Sequence, residues 1–160
     1  MRHPIVFFFS LSVLSFVCSG YQYESFEWND TREETEQDVL VRENHIVFAD
    51  EEHIVYQDKK YRHPCTVTLS FDSEDRLLEK VSVKWDTTEV GPRVRQVLTG
   101  KYGKPYSRSA YGQSYLWRDP QRDEVVRLNY SVRSTELTYF GKKFYQKHRG
   151  PDKGWKGTAW

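Results

Sequence analysis

Residues 90–105 constrain the fold most, because this stretch marks both ends of one helix. Gly91 and Pro92 favour a helix start, since proline is tolerated in the first turn. Gly103 favours a helix end, since glycine readily adopts the left-handed conformation of a C-cap, and Pro105 cannot continue the helix. The apolar residues of this stretch recur at helical spacing, so they share one face of a helix. They are Val90, Val94, Val97, Leu98 and Tyr102. We predict a helix that ends at Gly103 and separates two groups of strands.

Alternation of apolar and polar residues predicts strands on both sides of this helix. Residues 65–71 and 81–85 alternate cleanly around a polar turn and predict a hairpin. The other predicted strands are residues 45–48, 53–56, 113–117, 124–130 and 135–140. Thr31 followed three residues later by Glu34 is a capping-box pattern, which predicts a first helix over residues 31–40.

These elements predict an α+β fold in a single domain over residues 21–140. The expected architecture is an antiparallel sheet of about six strands packed by two helices, in which the elements form tandem helix–hairpin units. An open, curved sheet is the alternative.

Charge is unevenly placed along the chain. Residues 21–60 hold 12 acidic and 4 basic side chains, whereas residues 61–160 hold 11 acidic and 19 basic ones. Such a molecule either presents an acidic and a basic face to different partners, or its two halves attract each other. We favour the second interpretation.

The first 20 residues predict export. Arg2 and His3 precede a hydrophobic run over residues 5–17, and small residues follow it, which is typical of a secretory signal peptide. We expect cleavage near Gly20 and a periplasmic or secreted protein. Lipidation at Cys18 is the alternative.

Ordinary cleavage leaves Cys65 as the remaining cysteine, so no internal disulfide forms. The place of Cys65 in an alternating strand predicts a buried thiol.

Residues 141–160 are rich in lysine and carry two isolated aromatics, Trp155 and Trp160. We predict a basic, disordered tail. Contact with a membrane is expected only through this tail or through lipidation at Cys18, and nucleic acid is not an expected partner of an exported protein.

No catalytic pattern stands out, so an enzyme is the less favoured class. The chain lacks a Gly-x-Ser-x-Gly elbow, and the glycines of residues 99–104 lack both the spacing and the helix-start position of a phosphate loop. No spacing typical of a metal site occurs, and we predict neither a metal nor a cofactor. An alternative function is a small-ligand carrier or hydrolase with a cleft near His45, His53 and His63.

The favoured function is binding of another protein by an exposed sheet face. Aromatic residues are enriched in the energetic centres of protein interfaces. The predicted binding residues are Tyr111, Tyr115, Trp117 and Tyr139.

The order of helices and hairpins resembles small bacterial envelope proteins with tandem α/β repeats, of the type of the β-lactamase inhibitor protein and the outer-membrane assembly lipoproteins. Three features carry the resemblance over residues 26–140: the helix start at Thr31 and Glu34, the alternating strands 65–71 and 81–85, and the second helix that ends at residues 101–105. Helices of these families open with a Gly-Met-Thr-like turn, where residues 28–31 here read Trp-Asn-Asp-Thr. The resemblance implies non-enzymatic protein binding and assigns no binding residue.

Overall fold

The computed structural model describes residues 26–109, 113–119 and 124–149. These residues form three helices and eight strands. In chain order they are α1 (Arg32–Val41), β1 (His45–Ala49), β2 (His53–Lys60), β3 (His63–Phe71), β4 (Leu78–Trp85), α2 (Gly91–Tyr102), β5 (Ser107–Arg108), β6 (Ser114–Asp119), β7 (Glu124–Tyr130), β8 (Thr135–Phe140) and α3 (Lys142–Arg149). All eight strands belong to one antiparallel sheet in the order β1-β2-β3-β4-β8-β7-β6-β5.

The strand order divides the sheet into two similar units. Each unit is a helix followed by a four-stranded meander, and the two meanders join where β4 pairs with β8. The predicted antiparallel α+β fold is confirmed. The expected number of elements is wrong, since eight strands and three helices replace about six strands and two helices. The shortfall includes β5, which has two residues and no alternation to detect.

Helix α1 begins where the capping box predicts. The backbone N–H of Glu34 donates to Thr31 Oγ1 at 3.3 Å, and the backbone N–H of Thr31 donates to the Glu34 carboxylate at 3.0 Å. Thr35 and Val39 are the buried residues of this helix. So thin an apolar face means that packing of Val39 onto the sheet, rather than the helix alone, keeps α1 in place.

Helix α2 ends at Tyr102, as the sequence predicts, but its cap differs in detail. Gly103 has φ +78° and ψ −157°, and its N–H donates to the Thr99 carbonyl at 3.0 Å. The positive φ confirms the need for glycine. The ψ value lies outside the left-handed helical region that we expected and in a region that glycine alone populates readily.

The Tyr130 side chain packs against the start of α2 at Gly91. The Tyr130 hydroxyl donates to the Gly91 carbonyl at 2.8 Å. A Cβ on Gly91 would lie 2.3 Å from Cε1 and 2.6 Å from Cδ1 of the same ring. Because side chains do not approach so closely, we expect Gly91→Ala to displace the ring and lower the free energy of unfolding by about 1–3 kcal/mol.

Gly100 provides the matched control within the same helix. Among the described residues, a Cβ on Gly100 would meet nothing within 4 Å. Alanine is favoured over glycine inside a helix by roughly 0.5–1 kcal/mol. Urea denaturation should therefore show a higher midpoint for Gly100→Ala and a lower one for Gly91→Ala. Equal midpoints would mean that Tyr130 moves aside at no cost.

The main core lies between the sheet and the pair α1 and α2. Val39 from α1 and Val94 and Leu98 from α2 belong to one buried cluster with the inward residues of β2, β3, β4, β6, β7 and β8, so both helices cover the same face. We call this the inner face and the opposite one the outer face. The two largest fully buried side chains are Trp85 and Trp117.

Helix α3 covers one end of the outer face. Phe144 stacks on Phe140 with ring centroids 5.3 Å apart, and Phe144 and Tyr145 pack against a small cluster that includes Leu116 and Val125. Residues 142–149 of the predicted basic tail form this helix. The aromatic pair anchors this helix to the sheet. The sequence did not indicate the apolar cluster on the outer face against which α3 packs.

In the part of the chain that the structure describes, no helix has the length and apolar character needed to cross a bilayer.

Two ion pairs fasten α3 to the turn after β3. Lys143 pairs with Asp75, and Lys147 Nζ lies 3.0 Å from Asp72 Oδ2. The Asp72 side chain is almost fully covered. A hydrogen bond from the Glu74 backbone N–H, followed by the one from Lys147, lowers the pKa of Asp72 to about 2.

The lowered pKa of Asp72 makes the stability of the fold depend on pH. Because the pKa of Asp72 is lower in the folded chain than in the unfolded one, the ionised carboxylate contributes stability above its ordinary pKa of about 4, and the contribution is lost as the pH falls towards 2. We expect Asp72→Asn to lower the melting temperature at pH 7 and to flatten its fall between pH 4 and 2. Glu74→Gln is the control, since it keeps the backbone donor. If the melting temperatures of wild type and Asp72→Asn fell in parallel between pH 4 and 2, the role of the Asp72 carboxylate would be contradicted.

Several predictions fall outside the described residues. They concern the signal peptide and Cys18 at one end and Trp155 and Trp160 at the other.

Candidate functional site

The outer face carries a polar row that runs across seven strands. In an antiparallel sheet, directly paired residues point to the same face. Following these pairs from β1 to β6 gives one continuous line of side chains, each exposed or half-buried. We call it the polar platform, and its members are His45, Gln57, Thr66, Lys84, Glu136, Asn129 and Ser114.

The platform lies away from α3. The outer-face row beneath α3 contains Lys80, Phe140 and Val125, and the latter two are buried by Phe144 and Tyr145. Lys80 itself lies over the Phe144 ring at 5.7 Å. The helix thus buries the apolar end of the outer face and leaves the polar end accessible.

A groove of about 240 Å³ adjoins the platform. It shares Gln57, Thr66 and Lys84 with the platform, and its other lining residues are His63, Pro64, Cys65, Asp86 and Thr87. Gln57 Nε2 donates to Thr66 Oγ1 at 3.1 Å, which orders this part of the floor. Sites for small molecules and cofactors usually measure roughly 300–1,000 Å³. This groove suits a side chain or a short length of backbone better.

Cys65 in this groove is not equipped as a nucleophile. Its side chain is buried, as predicted. Burial, followed by the nearby Asp58 carboxylate, raises the pKa of the thiol to about 11. The reactive species is the thiolate, so the thiol is unreactive near neutral pH and acts as a small apolar side chain.

The three histidines of the predicted cleft are not brought together. His53 pairs with Ser70 at one end of β2, and His63 pairs with Lys60 at the other end. At about 3.3 Å per residue, these ends are roughly 23 Å apart. His45 belongs to the platform and His63 lines the groove, whereas His53 Nδ1 lies 3.3 Å from Asp50 Oδ1 in the β1–β2 turn.

The aromatic residues predicted to face a partner lie in the core. Tyr115, Trp117 and Tyr139 are each less than 5% exposed because they occupy inward positions of β6 and β8. The Trp117 indole N–H donates to the Gly103 carbonyl at 3.0 Å. The fourth, Tyr111, is outside the described residues. The sequence signal that could have indicated the surface is the opposite set of positions, the polar ones of the same alternating strands.

The two helices that cover the inner face differ in charge. Helix α2 contains no acidic residue, and α1 carries four. The guanidinium groups of Arg93 and Arg95 each lie 5.3 Å from an aromatic ring centroid, over Tyr61 and Tyr115. Within the part of the chain that is described, neither arginine forms an ion pair. Between the acidic and the basic half of the chain, Arg76 pairs with Glu51 at 3.3 Å.

The described residues contain no group of three or more His, Cys, Asp and Glu side chains placed to hold a metal ion. Comparisons with family models, curated proteins and solved structures give no match. The geometry shows a polar row across the outer face, a groove of about 240 Å³ that shares three residues with this row, and a buried thiol.

Proposed function

We propose that the protein is an exported, non-enzymatic binding protein that presents the polar platform to another protein. One observation carries this proposal. Two helices cover the inner face of an eight-stranded sheet, while a row of accessible polar side chains crosses seven strands of the outer face. A face of this kind offers many hydrogen-bond donors and acceptors on a rigid framework, which suits a polar protein interface.

The organisation into two helix-and-meander units also supports this proposal, because tandem α/β repeats are the basis of the resemblance to non-enzymatic envelope proteins. Export is proposed from the hydrophobic leader of residues 1–20. N-terminal sequencing of the exported protein should find a start near Tyr21, and a chain that begins with lipid-modified Cys18 would indicate the lipoprotein alternative.

Site-specific photo-crosslinking tests the binding function. A photoreactive phenylalanine analogue is placed at Gln57, which is exposed on the platform, or at Gln96, which is exposed on α2. Both variants replace an exposed glutamine, so each controls for the chemistry of the other. We expect discrete adducts with one partner from Gln57 and none of them from Gln96. The same adducts from both positions, or no adduct from Gln57, would refute the proposal.

A further inference from the structure

Strand β1 is an open edge of the sheet. It pairs with β2 on one side, and no described segment pairs with its other side. The opposite edge, β5, has two residues, whereas β1 has five. Natural sheets protect their edges with short strands, lysine, proline or a bulge. Strand β1 has a bulge between Ile46 and Phe48 but contains neither lysine nor proline.

The same edge exposes apolar side chains. Val47 is 49% exposed and Phe48 is 52% exposed. Leu40 and Val41, in the last turn of α1, are also exposed, and α1 packs beside β1. Single exposed apolar residues are ordinary, but a group beside an unpaired backbone edge marks a place where another chain binds.

Acidic residues stand at both ends of β1. Glu43 precedes the strand, and Asp50, Glu51 and Glu52 follow it. Glu51 pairs with Arg76 at 3.3 Å. Among the described residues, Glu43 and Glu52 form no ion pair. An added strand with basic residues at both ends would therefore meet opposite charge on each side.

A second copy of this chain is a poor occupant of the edge. If two β1 strands paired in an antiparallel manner about Val47, Glu43 of one copy would oppose Glu51 of the other, and this would occur twice by symmetry. Like charges directly opposite each other destabilise strand pairing. The charges favour a different partner over self-association.

We propose that β1 captures an extended segment of a partner protein, with alternating apolar residues in its middle and basic residues at both ends. Backbone hydrogen bonds to the open edge would align the segment, Val47 and Phe48 would contact its apolar side chains, and the flanking carboxylates would select basic ends. This inference rests on the proposed function, because it states what kind of segment the partner supplies.

The test uses the mature chain, residues 21–160, and a fluorescein-labelled peptide of sequence KRVTVTVKR. Fluorescence anisotropy should show saturable binding. A peptide N-methylated at all five central residues, the three valines and the two threonines, has no central N–H group to donate to the edge, and a peptide with glutamate at each basic position meets like charge. We expect each change to weaken binding at least about tenfold.

Variants of the protein place the binding on β1. Phe48→Ser should weaken binding of the basic peptide about tenfold, and Glu43→Lys with Glu52→Lys should do the same. Val132→Ser is the matched control, because Val132 is 90% exposed but lies in the β7–β8 turn. Circular dichroism checks that every variant is folded.

Absence of binding, equal binding of the N-methylated peptide, or equal loss in Val132→Ser would each overturn the inference. A stable dimer of the mature chain that Phe48→Ser dissociates would overturn it too, since a second copy would then occupy the edge. If the peptide fails while crosslinks from Gln57 persist, the edge inference fails and the platform function stands. If the peptide binds and Gln57 yields no adduct, the platform function fails instead.

Discussion

Replacing Trp117 with alanine should lower the free energy of unfolding by about 3–5 kcal/mol. The side chain is 1% exposed, stacks near Tyr115 with ring centroids 6.0 Å apart, and lies between the sheet and α2. Its removal leaves a large cavity in the main core. Since small domains are stable by roughly 5–15 kcal/mol, this loss would bring the chain close to unfolding.

Trp117→Phe separates the volume of the ring from its hydrogen bond. Phenylalanine fills much of the space but cannot donate to the Gly103 carbonyl, which accepts from the indole N–H at 3.0 Å. We expect the lost hydrogen bond to lower the free energy of unfolding by about 1–2 kcal/mol. The total decrease for Trp117→Phe should stay well below the decrease for Trp117→Ala. Urea denaturation followed by far-UV circular dichroism measures both. An alanine variant within 1 kcal/mol of wild type would show that this side chain is not part of the core.

Replacing Gly103 with valine should lower the free energy of unfolding by about 1–3 kcal/mol. The backbone at Gly103 has φ +78° and ψ −157°, a conformation that a β-branched side chain strongly resists. The end of α2 and the acceptor for Trp117 would both be displaced. We expect a lower melting temperature, measured by circular dichroism.

The matched control for this variant is Gly100→Val. Gly100 lies in α2 without a positive φ, and a side chain there meets nothing within 4 Å among the described residues. Valine and glycine differ by only a few tenths of a kcal/mol in helix propensity, so the control should be close to neutral. Equal melting temperatures for the two variants would show that residue 103 does not need its unusual conformation.

The local elements could be predicted because their signals are local. The capping box at Thr31 and the glycine after α2 each depend on a few neighbouring residues, and both occur where the sequence places them. The faces of the strands could not be assigned in the same way. In β6, Leu116 on the outer face is as apolar as its neighbours Tyr115 and Trp117 on the inner face. Alternation alone therefore did not show that these aromatics are buried.

The platform depends on pairing between distant strands. Lys84 and Glu136 become neighbours only because β4 pairs with β8, and no local signal in either strand specifies that partner. For the same reason the packing of α3 could not be predicted. Phe144 packs against Phe140 and Val125, which become neighbours only when β7 and β8 pair. Strand register likewise places His53 and His63 at opposite ends of the β2–β3 pair, which neither local sequence indicates.

The junction between β4 and β8 also has a consequence for the order of events during synthesis. The first meander is complete once Trp85 has been made, but its second edge stays open until residues 135–140 emerge and pair with it. Until then the nascent chain presents two unpaired edges, β1 and β4, which are sites for misassociation with other chains. Pairing of β8 with β4 is thus the step that joins the two meanders into one sheet.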